Sequence, residues 1–147
     1  MTWECPDCQR RFGRRGQSHE CAPAMTLDDY FSAVPAQEGR SAPGPVRERP
    51  IFDAVMAHLE TLGDVHVEPV SVGIFLKRSR GFAELRPKVN WIELSFGLEH
   101  TVDHPKITRI MRASDTRTYH CVRLREPSDV DADVRDWLTE AYFAVEP

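Results

Sequence analysis

Residues 72–96 are VGIFLKRSRGFAELRPKVNWIELSF, and this stretch decides the fold. Apolar and polar residues alternate in the runs 72–77, 82–86 and 91–96, which is the pattern of strands with one buried face. Short segments that favour turns separate the runs, 78–81 with Gly81 and 87–90 with Pro87. The stretch therefore predicts consecutive antiparallel strands.

Segments on either side extend this sheet. Residues 65–70, 106–111 and 119–125 alternate with the same period, so the sheet should contain about five or six strands. Alternation directs one set of side chains to the core, namely Ile74, Leu76, Ala83, Leu85, Ile92, Leu94, Val122 and Leu124. The opposite set should lie on an open face and includes Phe75, Phe82, Trp91 and Tyr119.

Two helices are expected to cover the core face of the sheet. Residues 48–62 carry apolar residues at helical spacing and end before Gly63, and residues 129–145 do the same after Ser128, a favourable N-cap residue. We therefore predict an α+β domain over residues 48–147, an antiparallel sheet with an N-terminal and a C-terminal helix packed on one face. No segment is apolar over the roughly 20 residues that a membrane span needs.

The residues before 48 differ in composition. Residues 25–47 should form a short helix capped by Thr26 and then a flexible linker, because 33–46 contain three prolines and two glycines. Residues 1–24 hold three of the four cysteines and almost no aliphatic residues, so they cannot fold around an apolar core. This uneven distribution argues against a disulfide framework. Together with a start that lacks a basic and apolar leader, it predicts a cytoplasmic protein.

The first segment has the spacing of a zinc site. Two residues separate Cys5 from Cys8, ten residues follow, and His19 and Cys21 complete a set of four ligands. Four protein ligands leave no position for a reacting water, so we predict a structural Zn²⁺ ion in a small zinc knuckle over residues 1–24. The competing interpretation is a redox pair formed by Cys5 and Cys8, but the strand-to-helix context of such motifs is missing.

Several stretches together resemble a known family. They are Cys-Pro-x-Cys-x-Arg-x-Phe (5–12), Gln-Ser-His-Glu-Cys (17–21), Leu-Asp-Asp-Tyr-Phe (27–31), Pro-Val-Ser-Val-Gly-Ile-Phe-Leu-Lys-Arg (69–78) and Gly-Phe-Ala-Glu-Leu-Arg-Pro (81–87). With the ending Asp-Trp-Leu-Thr-Glu-Ala-Tyr (136–142), they look like the bacterial family known as domain of unknown function 5655. The resemblance implies an α+β domain, in several members preceded by a short cysteine- and histidine-containing segment. It implies no particular activity.

Basic residues are concentrated in two places, although the formal net charge is -4. The loop between the zinc ligands holds Arg10, Arg11, Arg14 and Arg15. The turn at 78–81 and the open face hold Lys77, Arg78, Arg80, Arg86, Lys88 and Arg123, together with the aromatic Trp91. Arginine matches phosphate geometry, and aromatic residues among cations stack on unpaired bases. We therefore predict binding to nucleic acid, RNA rather than duplex DNA, or to a protein or ribonucleoprotein. The competing interpretation is a solvated face on which Glu84 and Glu93 neutralise the cations.

Support for catalysis is weaker. His100, Asp103 and His104 are a candidate metal cluster, but a surface loop of this kind is more often simply exposed. The chain has no glycine-rich phosphate loop, nucleophile elbow or recognisable pair of catalytic carboxylates. We therefore expect a zinc-binding interaction module. The sequence does not determine its oligomeric state. The alternative is an enzyme or small-ligand-binding domain with an unidentified pocket between the sheet and the helices.

Overall fold

The computed structural model describes residues 2–19, 21, 23–32, 45–70 and 72–147. The chain begins with a two-stranded antiparallel ribbon, β1 (Trp3–Glu4) and β2 (Arg11–Phe12), followed by α1 (Leu27–Ser32). The Thr26 hydroxyl accepts a hydrogen bond of 3.0 Å from the Asp29 backbone N–H, which confirms the predicted cap. Residues 33–44 of the predicted linker lie outside the described residues, and 45–46 already belong to α2 (Pro45–Leu59). The division of the chain at 24 and 47 stays a prediction.

A six-stranded antiparallel sheet forms the centre of the molecule. Its strands are β3 (His66–Val70), β4 (Gly73–Lys77), β5 (Gly81–Pro87), β6 (Ile92–Leu98), β7 (Ile107–Ser114) and β8 (Arg117–Leu124). The order across the sheet is β3-β4-β5-β6-β8-β7, so β8 pairs with β6 and β7 forms an edge. The predicted antiparallel α+β fold is confirmed.

The helix α2 and the C-terminal helix, α3 (Ala132–Phe143), cover one face of this sheet, as predicted. α2 ends at Leu59 rather than at residue 62. α3 begins at Ala132 rather than at residue 129, because the Asp131 carboxylate is its cap and accepts the Val134 N–H at 3.1 Å. Ser128, the predicted cap, lies in a single 3-10 turn, and its hydroxyl donates to the Glu126 carboxylate. None of the described helices is long and apolar enough to cross a membrane.

The core lies between the helices and the sheet. All the strand residues predicted to face the helices are buried. Phe82, predicted on the open face, is buried as well, and its ring lies 5.5 Å from that of Tyr142 in α3. The register explains this difference. Leu76 pairs with Ala83 and Lys77 with Gly81, so Phe82 is the extra residue of a β-bulge and turns inward.

A histidine side chain is enclosed in the core. His120 on β8 is fully buried, and its ring stacks on Phe96 with 5.7 Å between the ring centroids. The geometry assigns a proton to Nδ1, which donates to the Thr118 carbonyl at 3.1 Å, while Nε2 accepts the Val102 backbone N–H at 3.0 Å. Burial lowers the pKa of His120, so the neutral ring is the favoured form in the folded protein.

Candidate metal centre and basic cleft

A tight turn between β1 and β2 holds two of the predicted metal ligands. The Gln9 backbone N–H donates to the Cys5 carbonyl at 2.7 Å, and the Cys5 N–H donates to the Arg10 carbonyl at 2.9 Å. Gln9 has a φ of 63°, a left-handed conformation that reverses the chain directly after Cys8. This reversal brings the buried sulfurs of Cys5 and Cys8 to the same side of the turn.

The four predicted ligand atoms meet at one point, where all lie within 4.8 Å of one another. The Sγ atoms of Cys5 and Cys21 are 3.5 Å apart, and His19 Nε2 lies 3.4 Å from the Sγ atoms of both Cys8 and Cys21. A tetrahedral ion with sulfur ligands at about 2.3 Å and nitrogen at about 2.0 Å requires ligand separations of about 3.5–3.8 Å. The residues therefore fit one tetrahedral metal ion.

Neighbouring groups fix the orientation of the histidine ligand. His19 Nδ1 lies 2.6 Å from the Gln17 carbonyl and donates to it, which leaves the Nε2 lone pair directed at the sulfurs. The Phe12 ring lies 4.0 Å from the His19 ring, and the Trp3 ring lies 6.0 Å from that of Phe12. These two aromatic residues give the ligand cluster an apolar cover.

The metal-free thiols have very different proton affinities. Hydrogen bonding from the Cys8 backbone N–H, the largest effect, lowers the pKa of Cys5 to about 6. The hydrogen bond with Cys5 is the main reason that the pKa of Cys21 rises to about 12. Sulfurs held this close together cannot all ionise without a cation between them. The donor set is therefore suited to a metal ion that replaces the shared proton.

The N-terminal segment, residues 2–19, is packed against the open face of the sheet through Glu68 on β3. The Glu68 carboxylate lies 3.0 Å from Arg10 Nε and 2.8 Å from Lys77 Nζ, and it accepts the Arg11 backbone N–H at 2.9 Å. Lys77 Nζ also donates to the Arg11 carbonyl at 2.6 Å. The side chains of Glu68, Arg10 and Lys77 are all buried, so this contact excludes solvent.

These contacts determine the charge of the buried carboxyl group. Burial alone raises the pKa of Glu68, but hydrogen bonds from Lys77, the Arg11 N–H and Arg10 outweigh it, and the pKa lies below its usual value. Arg10 and Lys77 are thus committed to holding the N-terminal segment on the sheet. Both residues also line the cleft described next, so their predicted role in binding stays a prediction.

A cleft of about 680 Å³ lies between the N-terminal segment and the sheet. The N-terminal segment contributes Phe12, Gly13 and Arg14, the turn after β4 contributes Arg80, and the sheet contributes Phe75, Arg86, Arg117 and Tyr119. None of the described residues that line this basic cleft is an aspartate or a glutamate. The cleft is therefore strongly basic, although the whole chain has a formal net charge of -4.

The basic residues predicted to contact a partner do not lie on one continuous surface. Arg14, Arg80 and Arg86 line the basic cleft, whereas Arg15 is exposed elsewhere on the N-terminal segment. Arg78 folds toward the C terminus, where its Nη1 donates to the carbonyls of Tyr142 at 3.1 Å and Val145 at 2.8 Å. Arg11 and Lys88 are half-buried.

The open face contains a second group of cations around Trp91. The guanidinium carbons of Arg123 and Arg125 lie 4.1 and 5.5 Å from the centre of the Trp91 ring. Carboxylates neutralise some cations of this face. Glu84 lies 3.2 Å from Arg86, which lines the cleft, and Glu93 lies 3.5 Å from Arg109. No described carboxylate pairs in this way with Arg14, Arg80 or Arg117.

The sequence pattern did not single out Arg117, which is buried at the wall of the basic cleft. The signal that could have found it is the alternation on β8. That alternation places Arg117 on the same face of the strand as Tyr119 and Arg123. A second signal is Gly97 on the neighbouring strand β6, because its missing side chain leaves room for that of Arg117.

The candidate metal cluster of His100, Asp103 and His104 does not have metal-binding spacing. His100 pairs with Glu140 at 2.5 Å and His104 with Asp133 at 3.5 Å, so each contacts α3 instead of the other. In the described part of the chain, the N-terminal cysteine and histidine cluster is the one group with metal-binding spacing. Between sheet and helices, the space beside Phe52 measures about 10 Å³, which is room for about one water molecule. It does not supply the pocket of the alternative hypothesis.

Comparison with known proteins identifies the larger part of the chain. Residues 40–143 match a family model described as Domain of unknown function (DUF5655). This match spans α2, the six-stranded sheet and α3. No curated protein and no solved structure matches the chain.

Proposed function

Since the chain belongs to the family Domain of unknown function (DUF5655), whose description names no activity, we propose a function from its own residues. It is a zinc-binding interaction module that binds single-stranded nucleic acid, RNA in preference to duplex DNA, in the basic cleft. The zinc ion holds the N-terminal wall of the cleft in shape. The sheet supplies the opposite wall.

The ligand chemistry supports zinc as the metal. Three cysteines and one histidine are a common donor set of structural zinc sites, and soft thiolates disfavour magnesium and calcium. Because Cys5, Cys8, His19 and Cys21 fill four positions, the ion would stabilise the fold and would not activate a water molecule. A redox pair would need only Cys5 and Cys8. It would not explain why His19 and Cys21 lie beside them.

The charge of the cleft is the observation that carries the proposed ligand. The chain has 23 acidic and 19 basic residues, yet the described lining of the cleft has arginines and no carboxylate. Arg14, Arg80 and Arg117 have no described carboxylate partner, so their charges repel one another. A polyanion that brings phosphates into the cleft would relieve this repulsion.

Aromatic side chains favour a single strand over a duplex. Phe75 and Tyr119 line the cleft beside the arginines, and Trp91 lies with Arg123 farther along the same face. Bases can stack on such rings only when they are unpaired, because a duplex holds its bases inside. An RNA strand would place its phosphates near Arg14 and Arg80 and its bases near the aromatic rings.

Fluorescence anisotropy with a labelled single-stranded RNA, measured over a series of salt concentrations, tests the proposal. The variant pairs Arg14→Ala with Arg80→Ala. It should weaken binding by about tenfold or more and reduce the slope of log affinity against log salt by about 0.7 for each lost phosphate contact. Arg112→Ala is the matched control, because Arg112 is an exposed arginine that pairs with Asp115 outside the cleft.

Three results would count against this function. Wild-type protein that shows no salt-sensitive RNA binding contradicts the ligand. Equal affinity of the double variant and the control contradicts the site. Preference for duplex DNA over the single strand contradicts the role of the aromatic rings.

A further inference from the structure

Arg117 is the cation of the basic cleft whose burial the protein itself does not explain. Its side chain is on β8, and the residue is only 8% exposed. One hydrogen bond holds it, from Nη2 to the Gly81 carbonyl at 2.6 Å. A guanidinium has five N–H donors, so this contact uses a small part of its capacity.

Three other buried or half-buried cations among the described residues have more polar partners than Arg117. Arg10 and Lys77 share the Glu68 carboxylate, and Arg78 donates to two carbonyls near the C terminus. Within the described ranges, Arg117 has no carboxylate partner. A buried charge without a counter-ion is costly, and proteins keep such a group mainly where it meets a ligand of opposite charge.

The surroundings of Arg117 hold its guanidinium in place beside the cleft. A Cβ atom on Gly97 would lie only 2.7 Å from Arg117 Nε and 3.0 Å from its Cζ, so the guanidinium lies directly over the bare backbone of Gly97. The Tyr119 ring is 5.2 Å away, measured from the guanidinium carbon to the ring centre. An arginine fixed before its ligand arrives loses little conformational freedom on binding.

We propose that Arg117 is a dedicated phosphate-binding residue of this cleft, with Arg80 as the second cation at the same end. The Nη2 contact with Gly81 sets the direction of the fork, and the remaining N–H groups on the cleft side bind phosphate oxygens. Arg80 lines the cleft with Arg117 and also has no described carboxylate partner. Both arginines also line a smaller space of about 90 Å³ that includes Glu99, which forms no described ion pair with either. The identity of the larger ligand rests on the proposed function, whereas the phosphate contact can be tested by itself.

The bound phosphate has two possible sources in a single strand. It is either the terminal phosphate monoester or an internal phosphodiester. Both present oxygens to the same guanidinium fork. Oligonucleotides of one sequence, made with and without a terminal phosphate, distinguish them.

The first test uses wild-type protein loaded with its metal, so that folding is not in question. Inorganic phosphate is titrated while the guanidinium N–H signals are followed by nuclear magnetic resonance. The Arg117 Nε–H signal should shift saturably, and the signal of Arg112, which pairs with exposed Asp115, should not. An Arg117 signal that phosphate leaves unmoved overturns the proposal.

The second test compares two variants that keep the positive charge of the cleft. Arg117→Lys removes the fork, and Gly97→Ala displaces the guanidinium without changing Arg117 itself. Each should weaken binding of the single-stranded RNA by about tenfold, because a point charge or a displaced fork cannot make the paired contact. Arg112→Lys should bind as the wild type does. Wild-type affinity in both cleft variants also overturns the proposal.

The outcomes separate this inference from the function on which it builds. A loss confined to RNA with a terminal phosphate assigns a monoester, and an equal loss for both oligonucleotides assigns a phosphodiester. If phosphate moves the Arg117 signal but no RNA binds, the phosphate site stands and the nucleic-acid function fails. If RNA binds and neither Arg117→Lys nor Gly97→Ala weakens it, the function stands and the role of Arg117 fails.

Discussion

Replacing Glu68 by glutamine should release the N-terminal segment from the sheet. The carboxylate is 2% exposed and lies within 3.0 Å of both Arg10 and Lys77. The neutral amide removes the carboxylate charge that these two buried cations share. Breaking a buried ion pair from one side costs about 3–5 kcal/mol.

The protein can avoid part of this cost by undocking. Arg10 and Lys77 become solvated when the N-terminal segment leaves the sheet. The loss of stability caused by the substitution therefore cannot exceed the free energy that docking itself provides. The effect should therefore fall on residues 2–19. The six-stranded sheet keeps its own core and should stay folded, because that core lies on its opposite face.

Hydrogen exchange of the zinc-loaded protein measures this directly. The Arg11 N–H, which now donates to Glu68, should exchange about a hundredfold faster or more in Glu68→Gln, while N–H groups in the centre of β6 keep their protection. Asp115→Asn is the control, because its 97% exposed carboxylate pairs with Arg112 on the surface and should change neither rate.

Acid should reproduce the effect of the substitution. The pKa of Glu68 is lower in the folded protein than its ordinary value of 4.5, so ionised Glu68 stabilises docking above that pH. This stabilisation is lost as the pH falls through the lowered pKa. Glu68→Gln should remove this part of the pH dependence. Unchanged exchange at Arg11 in the variant would refute the assignment of Glu68 as the docking contact.

Other features give shorter tests. Cys8→Ser, or a strong chelator, should abolish metal binding and raise hydrogen exchange in residues 2–19 with little effect on the sheet; global unfolding in that experiment would contradict an N-terminal segment that metal stabilises separately. Because burial lowers the pKa of His120, folding stability should fall as the pH drops below about 6.5. In chemical denaturation, the stability of His120→Gln should depend less on pH than that of the wild type. The same pH dependence in both proteins would point to other groups, such as nearby His100 and Glu140. Asp131→Ala should lower the free energy of unfolding, measured by urea denaturation, by about 1 kcal/mol, and Ser128→Ala should lower it much less. A larger loss in Ser128→Ala than in Asp131→Ala would show that Ser128 is the cap.

The sheet could be predicted from sequence because its signal is local. Alternation in residues 72–96 reflects which side chains meet the helices, and the burial of Ile74, Leu85 and Leu94 follows that pattern. Phe82 escaped the pattern because a bulge inserts one residue and reverses the face for a single position. The caps were ambiguous for a similar reason, since Ser128 and Asp131 both precede the helix and only their surroundings select Asp131.

The candidate metal ligands could also be predicted, because residue type and spacing define them, and the four side chains do converge. The docking contact could not be predicted. Arg10 and Glu68 are 58 positions apart, and nothing local distinguishes a buried arginine from one in a solvated loop. The basic cleft exists only once that contact is made, so Arg117 gained its place in the site from tertiary structure.

The Phe12 ring lies 4.0 Å from the metal ligand His19, its other neighbours include Lys77 Nζ at 4.1 Å, and it lines the cleft. One side chain thus belongs both to the cover of the candidate metal site and to the lining of the basic cleft. If the ion increases the affinity for a ligand that contacts this wall of the cleft, binding of that ligand must increase the affinity for the ion by the same factor. Under the proposed function, a shortage of zinc would remove the metal first from protein molecules that have no RNA bound.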